Sequence, residues 1–245
     1  MKQTTVPLLK QFGIVGEQDL EIKINRRGSA PDGGGEIVFK CPVVKKLCST
    51  QLTNVGKVKR IRGIAYTTRT SPQYAIRIVT AARSILNHFL PDIYIYTDAS
   101  KKAGSSPGFG ISIYAETTNG AIIAAEACSS PRGSDTEPDV PEDIGVKAAN
   151  DLLEEVYKGG FVDSCNQYIA LLFMAVGEQD VRKVLFGPLT PYTVQFLRHL
   201  KDFFEIMFKL EPKVDYHSNN DSEEYTKVLL TCVGSGFLNI SKVTR

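Results

Sequence analysis

Three consecutive glycines, Gly33-Gly34-Gly35, close a run that begins Arg26-Arg27-Gly28-Ser29-Ala30-Pro31-Asp32 and continues into Glu36-Ile37-Val38-Phe39. Backbone amides in such a run can turn inward around an anion, so its candidate chemistry is to cradle a phosphate. The same residues also suit a wide hairpin loop with a bulge, and on local grounds the hairpin is the stronger reading. Each glycine loses about 0.5–1 kcal/mol more backbone freedom on folding than alanine would. A plain turn rarely needs three, and close approach by a ligand phosphate or by another backbone would explain them.

A second candidate chemistry is electrostatic. Residues 37–91 hold no acidic side chain against ten basic ones: Lys40, Lys45, Lys46, Lys57, Lys59, Arg60, Arg62, Arg69, Arg77 and Arg83. The formal net charge of +2 therefore conceals a segment at +10 and a remainder at −8. Such segregation suits docking of a phosphate backbone or an acidic partner, with a solvated strand and helix face as the plainer reading. Lys57, Lys59, Arg60 and Arg62 alternate along one predicted strand and form the expected binding set. Only Tyr66, Tyr74 and Phe89 interleave, so stacking on single-stranded bases adds little.

The remaining titratable residues point to less. His88, His199 and His217 are isolated: the first ends a predicted helix, the second lies within one, and the third falls in a polar loop. Asp143 and Asp163 could hold a metal, but acids near helix starts are commonly caps and dipole partners. The five cysteines, Cys41, Cys48, Cys128, Cys165 and Cys232, show no CxxC and no zinc-like pairing with histidine. Reduced, mostly buried thiols are expected.

Positioning these groups requires an α/β arrangement. Thr5 to Phe12 reads as a short helix stopped by Gly13, and Leu20–Ile24 and Ile37–Phe39 as the strands flanking the glycine run. Arg60–Arg69 is β-rich, and Ser71-Pro72 opens a helix with Ile76, Val79, Arg83 and Leu86 near helical spacing. Strands follow at Asp92–Thr97, Phe109–Glu116 and Ile122–Ala127, the last two joined through Asn119-Gly120. Ser129–Pro141 reads as a linker, and Ala99–Pro107 as a loop between strands. Next come a helix from Pro141 to Gly159, a helix near Gln167–Val176, a strand at Val181–Phe186, a helix at Thr193–Phe204, a strand at Ile206–Leu210, an acidic loop at Asp215–Glu224 and a strand at Lys227–Val233. A chain of 245 residues with 42% hydrophobic content can bury a sizeable core. No apolar run approaches the roughly 20 residues that cross a bilayer, and Met1–Thr5 lacks a signal-like stretch, so a soluble intracellular chain is expected.

The whole glycine string, Arg27-Gly28, two residues, Pro31, one residue, Gly33-Gly34-Gly35 and an aliphatic at Ile37, resembles the signature of the RNA 3'-terminal phosphate cyclase family. The likeness continues through Cys41–Leu47, Gly56–Gly63, Ser106–Gly110, Pro141–Gly145, Val162–Gln167 and Gly187–Phe208, and is strongest with the eukaryotic cyclase-like branch, whose members are ribosome-assembly factors. The resemblance implies an α/β (α+β) fold with a large domain of repeated α/β units, here residues 1–48 and 142–245, and a smaller α/β domain, residues 49–141, inserted into it. It also implies further units ahead of the segment matching Met1, so the large domain is expected to be amino-terminally short and to expose a face.

One departure carries the functional expectation. The true cyclases are implied to use a histidine in a Ser/Thr-x-His-Thr string, which takes AMP from ATP and passes it to the RNA 3'-phosphate. Here the string is Thr190-Pro191-Tyr192-Thr193. An imidazole offers an unprotonated nitrogen near neutral pH, whereas a phenol, with a reference pKa of about 10, does not offer its oxyanion. The resemblance therefore implies a non-catalytic assembly factor with no cofactor, acting in early pre-rRNA processing and 40S biogenesis in the small-subunit processome of the nucleolus, within the nucleus. The implied partners are a ribosome-assembly GTPase, pre-rRNA and processome components, and no membrane. The alternatives are an ATP-dependent RNA 3'-terminal phosphate cyclase or a pre-rRNA endonuclease.

Overall fold

A computed structural model describes residues 1–15, 20–99, 103–131, 133, 138–213 and 226–241. Among them the fold is mixed α/β, with five helices and ten strands. It opens with α1 (Thr5–Gln11), whose Val6, Leu8 and Leu9 are buried. An antiparallel hairpin follows, β1 (Glu21–Arg26) with β2 (Glu36–Lys40), and then the short β3 (Gln51–Leu52).

The first large sheet has the order β5-β4-β6-β7, with β4 at Val58–Thr68, β5 at Ile93–Asp98, β6 at Gly108–Thr117 and β7 at Ile122–Cys128. β4 and β5 are parallel because the helix α2 (Pro72–Leu86) crosses between them; the other pairs are antiparallel. α2 begins where the Ser71 hydroxyl accepts from the amide of Gln73, with Pro72 in its first turn. β6 turns into β7 at Gly120, whose φ of +84° is open to glycine. Period-two alternation sends Ile61, Ala65, Ile111 and Ile113 to one face, where α2 and α3 (Pro141–Lys158) cover them with Ile78, Ala82, Ala148 and Leu152. The two helices touch at Gly145, where a Cβ would run into the carbonyl of Ile78. The opposite face, away from α2 and α3, presents Tyr94, Tyr96, Arg62, Tyr66 and Tyr114.

The second sheet has the order β3-β8-β10-β9, with β8 at Val181–Phe186, β9 at Lys209–Lys213 and β10 at Lys227–Val233. α4 (Gln167–Ala175) and α5 (Pro191–Phe204) pack on one face over Val184, Phe186, Leu230 and Cys232. Val162 joins the two sheets, bridging Ile122 at the start of β7 and Phe186 at the end of β8. The core is thus two clusters under the two large sheets, which Val162 of the α3–α4 connection links, and a third, smaller cluster of Val6, Leu9, Ile14 and Leu20 between α1 and the hairpin.

Most elements lie where the pattern predicts, with three informative differences. The strand expected at Ile206–Leu210 is instead Lys209–Lys213, because Ile206 and Phe208 pack against the α4/α5 cluster and pairing with β10 starts only after them. α3 packs on the β4–β7 sheet with α2, so the unit around that sheet extends past the boundary expected at residue 141, its core held by Ile144, Ala148 and Leu152. The cysteines are not mostly buried. Cys41, Cys48, Cys128 and Cys165 are exposed at strand ends and in connections, and only Cys232 faces the core. The acidic loop Asp215–Glu224 with His217, and parts of the two expected linkers, lie outside the described residues.

Candidate functional site

The glycine run is a joint between the hairpin and the β4–β7 sheet. Arg27 donates from Nε to the Asp98 carboxylate at 2.8 Å, its guanidinium lies 4.7 Å from the Tyr66 ring centroid, and its carbonyl accepts from the amide of Gly104 at 2.7 Å. Burial is the main cause that raises the Tyr66 phenol above its usual range, and the Arg27 cation opposes it. The Ser29 hydroxyl sits 2.7 Å from that of Thr68, which donates to the Gly108 carbonyl at 3.0 Å. Buried Ser106 accepts from the amide of Asp32 at 3.0 Å and donates to its carboxylate at 2.9 Å.

These contacts explain the glycines. A Cβ on Gly28 would meet the backbone of Gly33 and Gly35, a Cβ on Gly104 would collide with the Gly33 carbonyl, and one on Gly34 would lie 3.3 Å from the Gly104 Cα. Gly33 and Gly34 also hold φ of +64° and +74°. The close approach is by the chain's own 103–108 segment. Pro31, at the exposed tip, follows a cis peptide bond with Ala30.

Within the basic set, two members are already paired with acids. Arg60 is bound by Glu116 at 2.6 Å, and Arg62 by Asp92 at 2.8 Å with a second contact at 3.2 Å. Both acids lie outside the acid-free window. The hydrogen bond from Arg62 holds the Asp92 carboxyl below its ordinary range. Lys40, Lys46 and Arg77 likewise meet Glu21, Glu178 and Glu142. Segregation along the chain is therefore partly undone in space. Lys57 and Lys59 differ: they are exposed at the start of β4, with no carboxylate within 4.0 Å among the described residues.

Tyr192 lies in the first turn of α5. Thr190 caps that helix by accepting from the amide of Thr193 at 3.1 Å, and the Gln167 side chain ties the turn to α4, accepting from the Thr193 hydroxyl at 2.7 Å. The Tyr192 ring is 60% exposed and meets Tyr168 edge-on at 5.3 Å and Phe196 at 6.2 Å. Neither His88 nor His199 lies in this cluster; His199 contacts Gln195 one turn away on α5.

Asp143 and Asp163 are not brought together. Asp143 is exposed in the first turn of α3, and Asp163 lies beyond its far end, roughly 22 Å further along the helix. Asp163 is buried, accepting from the amides of Ala124 and Asn166 and from Asn166 Nδ2, while Asn166 Oδ1 accepts from the Thr5 hydroxyl at 2.7 Å. Burial pushes its carboxyl up to about 6, against those hydrogen bonds. It links β7, α4 and α1, a role that its place in the sequence does not signal. Arg182 is a second such residue. It is fully buried, donating to the carbonyls of Phe173 in the last turn of α4 at 2.7 Å and of Leu47 at 3.1 Å.

Between the hairpin, the start of α1 and the face of the β4–β7 sheet that carries Tyr66 and Tyr114 runs a cleft of about 1270 Å³, lined by Ile24, Arg27, Phe39, Tyr66, Tyr114 and Asp163 among others. Ile24, Ile37 and Phe39 are exposed along the hairpin.

Residues 53–157 match the family model described as RNA 3'-terminal phosphate cyclase (RTC), insert domain. The chain is 58% identical over 247 residues to human RNA 3'-terminal phosphate cyclase-like protein, covering 100% of the chain and 65% of that protein. It is 49% identical to the probable cyclase-like protein of Drosophila melanogaster, over 99% of the chain and 64% of that protein. It is 38% identical over 247 residues to the rRNA processing protein rcl1 of Schizosaccharomyces pombe, over 99% of the chain and 63% of that protein. The chain thus spans a little under two thirds of the length of these relatives.

Proposed function

Because the chain belongs to the RNA 3'-terminal phosphate cyclase family and is similar throughout to its cyclase-like proteins, we propose that it is a non-catalytic factor of ribosome biogenesis. In this reading it acts in early pre-rRNA processing and 40S assembly in the small-subunit processome, in the nucleolus. The observation that carries it is identity running through the whole chain to cyclase-like proteins and to a relative named for rRNA processing.

The geometry at Tyr192 supports the non-catalytic part. In the position where the resemblance expects a nucleophilic imidazole stands a phenol held in an aromatic cluster with Tyr168 and Phe196. Attack on the α-phosphorus of ATP needs a lone pair available near neutral pH, and a phenol–aromatic cluster supplies packing in its place. The cyclase alternative loses its acceptor, and we propose no adenylylated intermediate. The expected partner is a ribosome-assembly GTPase, and the RNA is pre-rRNA. Lys57 and Lys59 are the residues of the basic set best placed to meet a polyanion, with Arg60 and Arg62 fixing the strand that carries them.

The test is recovery of RNA from cells that express the tagged chain. Small-subunit precursor rRNA should be enriched over mature rRNA and over large-subunit precursors. Equal recovery of all rRNA species would overturn the assignment.

A further inference from the structure

The face of the β3–β8–β10–β9 sheet opposite α4 and α5 carries lysines at cross-strand spacing. Val184, Leu230 and Cys232 point into the α4/α5 core, so their neighbours Lys183, Leu229 and Thr231 point the other way. Register sets Lys183 opposite Thr231, Thr231 opposite Lys209, and Leu229 opposite Glu211. With strands about 4.8 Å apart and about 3.3 Å of rise per residue, Lys183 and Lys209 stand roughly 10 Å apart across Thr231, and Lys213 roughly 13 Å along β9 from Lys209. All three lysines are exposed.

Among the described residues, one carboxylate of β9 lies with them. Glu211 pairs with Lys209 at 2.7 Å, and its carboxyl is held below the ordinary range first by that hydrogen bond and further by the charges of Lys213 and Lys183. Three ammonium groups therefore converge on one acid, a surplus of two positive charges among these four side chains. Leu185 and Leu229 between them are half-buried and belong to neither core cluster. Among the described residues the patch is basic, and no aromatic side chain stands between these lysines.

We propose that this face binds the phosphate backbone of a single RNA strand, with Lys183, Lys209 and Lys213 contacting phosphates and no side chain reading the bases. An acidic peptide fits the surface less well. A peptide docking as an added strand needs an open edge, and the β9 edge carries Pro212, which has no N–H to donate. A docking helix needs a continuous apolar groove, which two half-buried leucines do not make. A flexible polyanion needs only separated cations on an open surface, and binding of that kind is insensitive to base sequence. This surface is separate from the Lys57 and Lys59 region, and the inference holds whether or not the protein acts in ribosome assembly.

The test uses fluorescein-labelled oligouridine and the full chain, with anisotropy read at several salt concentrations. The variant Lys183→Gln, Lys209→Gln, Lys213→Gln should bind at least about tenfold more weakly at low salt. Its plot of log affinity against log salt should be shallower by about 2, at roughly 0.7 per lost contact with single-stranded nucleic acid. The same three positions changed to Arg should keep both affinity and slope, which separates lost charge from a damaged fold. A Lys57→Gln, Lys59→Gln variant measured alongside reports on the other surface alone. The proposal is overturned if the wild type does not bind at the lowest salt, if the triple Gln variant binds like the wild type, if the Arg variant loses as much as the Gln variant, or if oligoglutamate displaces the RNA as well as unlabelled oligouridine does.

Discussion

Arg27 and Asp98 stand 71 residues apart in the chain and meet at 2.8 Å, where the loop after β1 docks on the end of β5. The same guanidinium covers the Tyr66 ring on β4. An ion pair and a cation–π contact thus converge on one arginine and fix the glycine run against the β4–β7 sheet.

Arg27→Ala should destabilise the fold by about 1–2 kcal/mol, since a half-buried pair and a cation–π contact are lost together. A double-mutant cycle with Asp98→Asn in urea denaturation should show coupling above about 0.5 kcal/mol. Additive effects would mean that the pair does not hold the joint.

The glycines should differ by what surrounds them. At Gly33 a Cβ meets nothing within 4 Å, so Gly33→Ala should cost only the left-handed backbone penalty, roughly 1–2 kcal/mol. Gly104→Ala drives a Cβ into the Gly33 carbonyl and should cost more. Gly34→Val combines a φ of +74° with a close approach to Gly104, and it too should lower the melting temperature. If Gly33→Ala and Gly34→Val leave melting unchanged but abolish binding of a phosphate ligand, the run is a cradle and not a joint.

Burial raises the folded pKa of Asp163 to about 6, above its reference value of 3.8. The native state therefore holds this proton more tightly than the unfolded chain, and stability should fall as pH rises from about 4 to about 6. The ionised carboxylate then costs on the order of 3 kcal/mol above that window. Glu155, Lys158, Cys165 and Glu126 also face this region, so the comparison that isolates the effect is wild type against Asp163→Asn. The variant should lack the downward slope between pH 4 and pH 6, measured by urea denaturation. Parallel profiles would contradict the assignment.

The basic quartet should split. Lys57→Ala with Lys59→Ala should weaken binding to RNA and flatten its salt dependence. Arg60→Ala with Arg62→Ala should mainly lower stability, because each leaves a carboxylate without its partner: Glu116 in one case and Asp92 in the other. Equal effects of both pairs on the salt slope would restore the quartet as one surface.

Labelled ATP with magnesium should leave no acid-labile, nucleotide-linked protein, and Tyr192→His alone should not create one. A stoichiometric phosphoramidate adduct on the wild-type chain would contradict the non-catalytic reading.

Local pattern made much of this fold legible. Period-two runs at Phe109–Glu116 and Ile122–Ala127, the Asn119-Gly120 turn, and the apolar stripes of α2 and α3 each announced themselves within a few residues. What stayed hidden depends on partners far along the chain. Arg60 reads as part of a basic run until Glu116 arrives beside it on β6, 56 residues later. Asp163 reads as a helix-start acid until Ala124 and Asn166 enclose it. The lysines of the second sheet come from separate strands, Lys183 on β8 and Lys209 and Lys213 on β9, so no run of sequence shows them together. The displaced β9 shows the same limit: Ile206 and Phe208 have strand-like residue types, but core packing claims them and pairing begins later.

The central claim is a role in early pre-rRNA processing, and depletion tests it most directly. When the protein is depleted from the cells that encode it, probes against the early small-subunit cleavage sites should show uncleaved precursor accumulating. Mature small-subunit rRNA should decline while large-subunit rRNA is initially maintained. An unchanged ratio of precursor to mature small-subunit rRNA after full depletion would contradict the account.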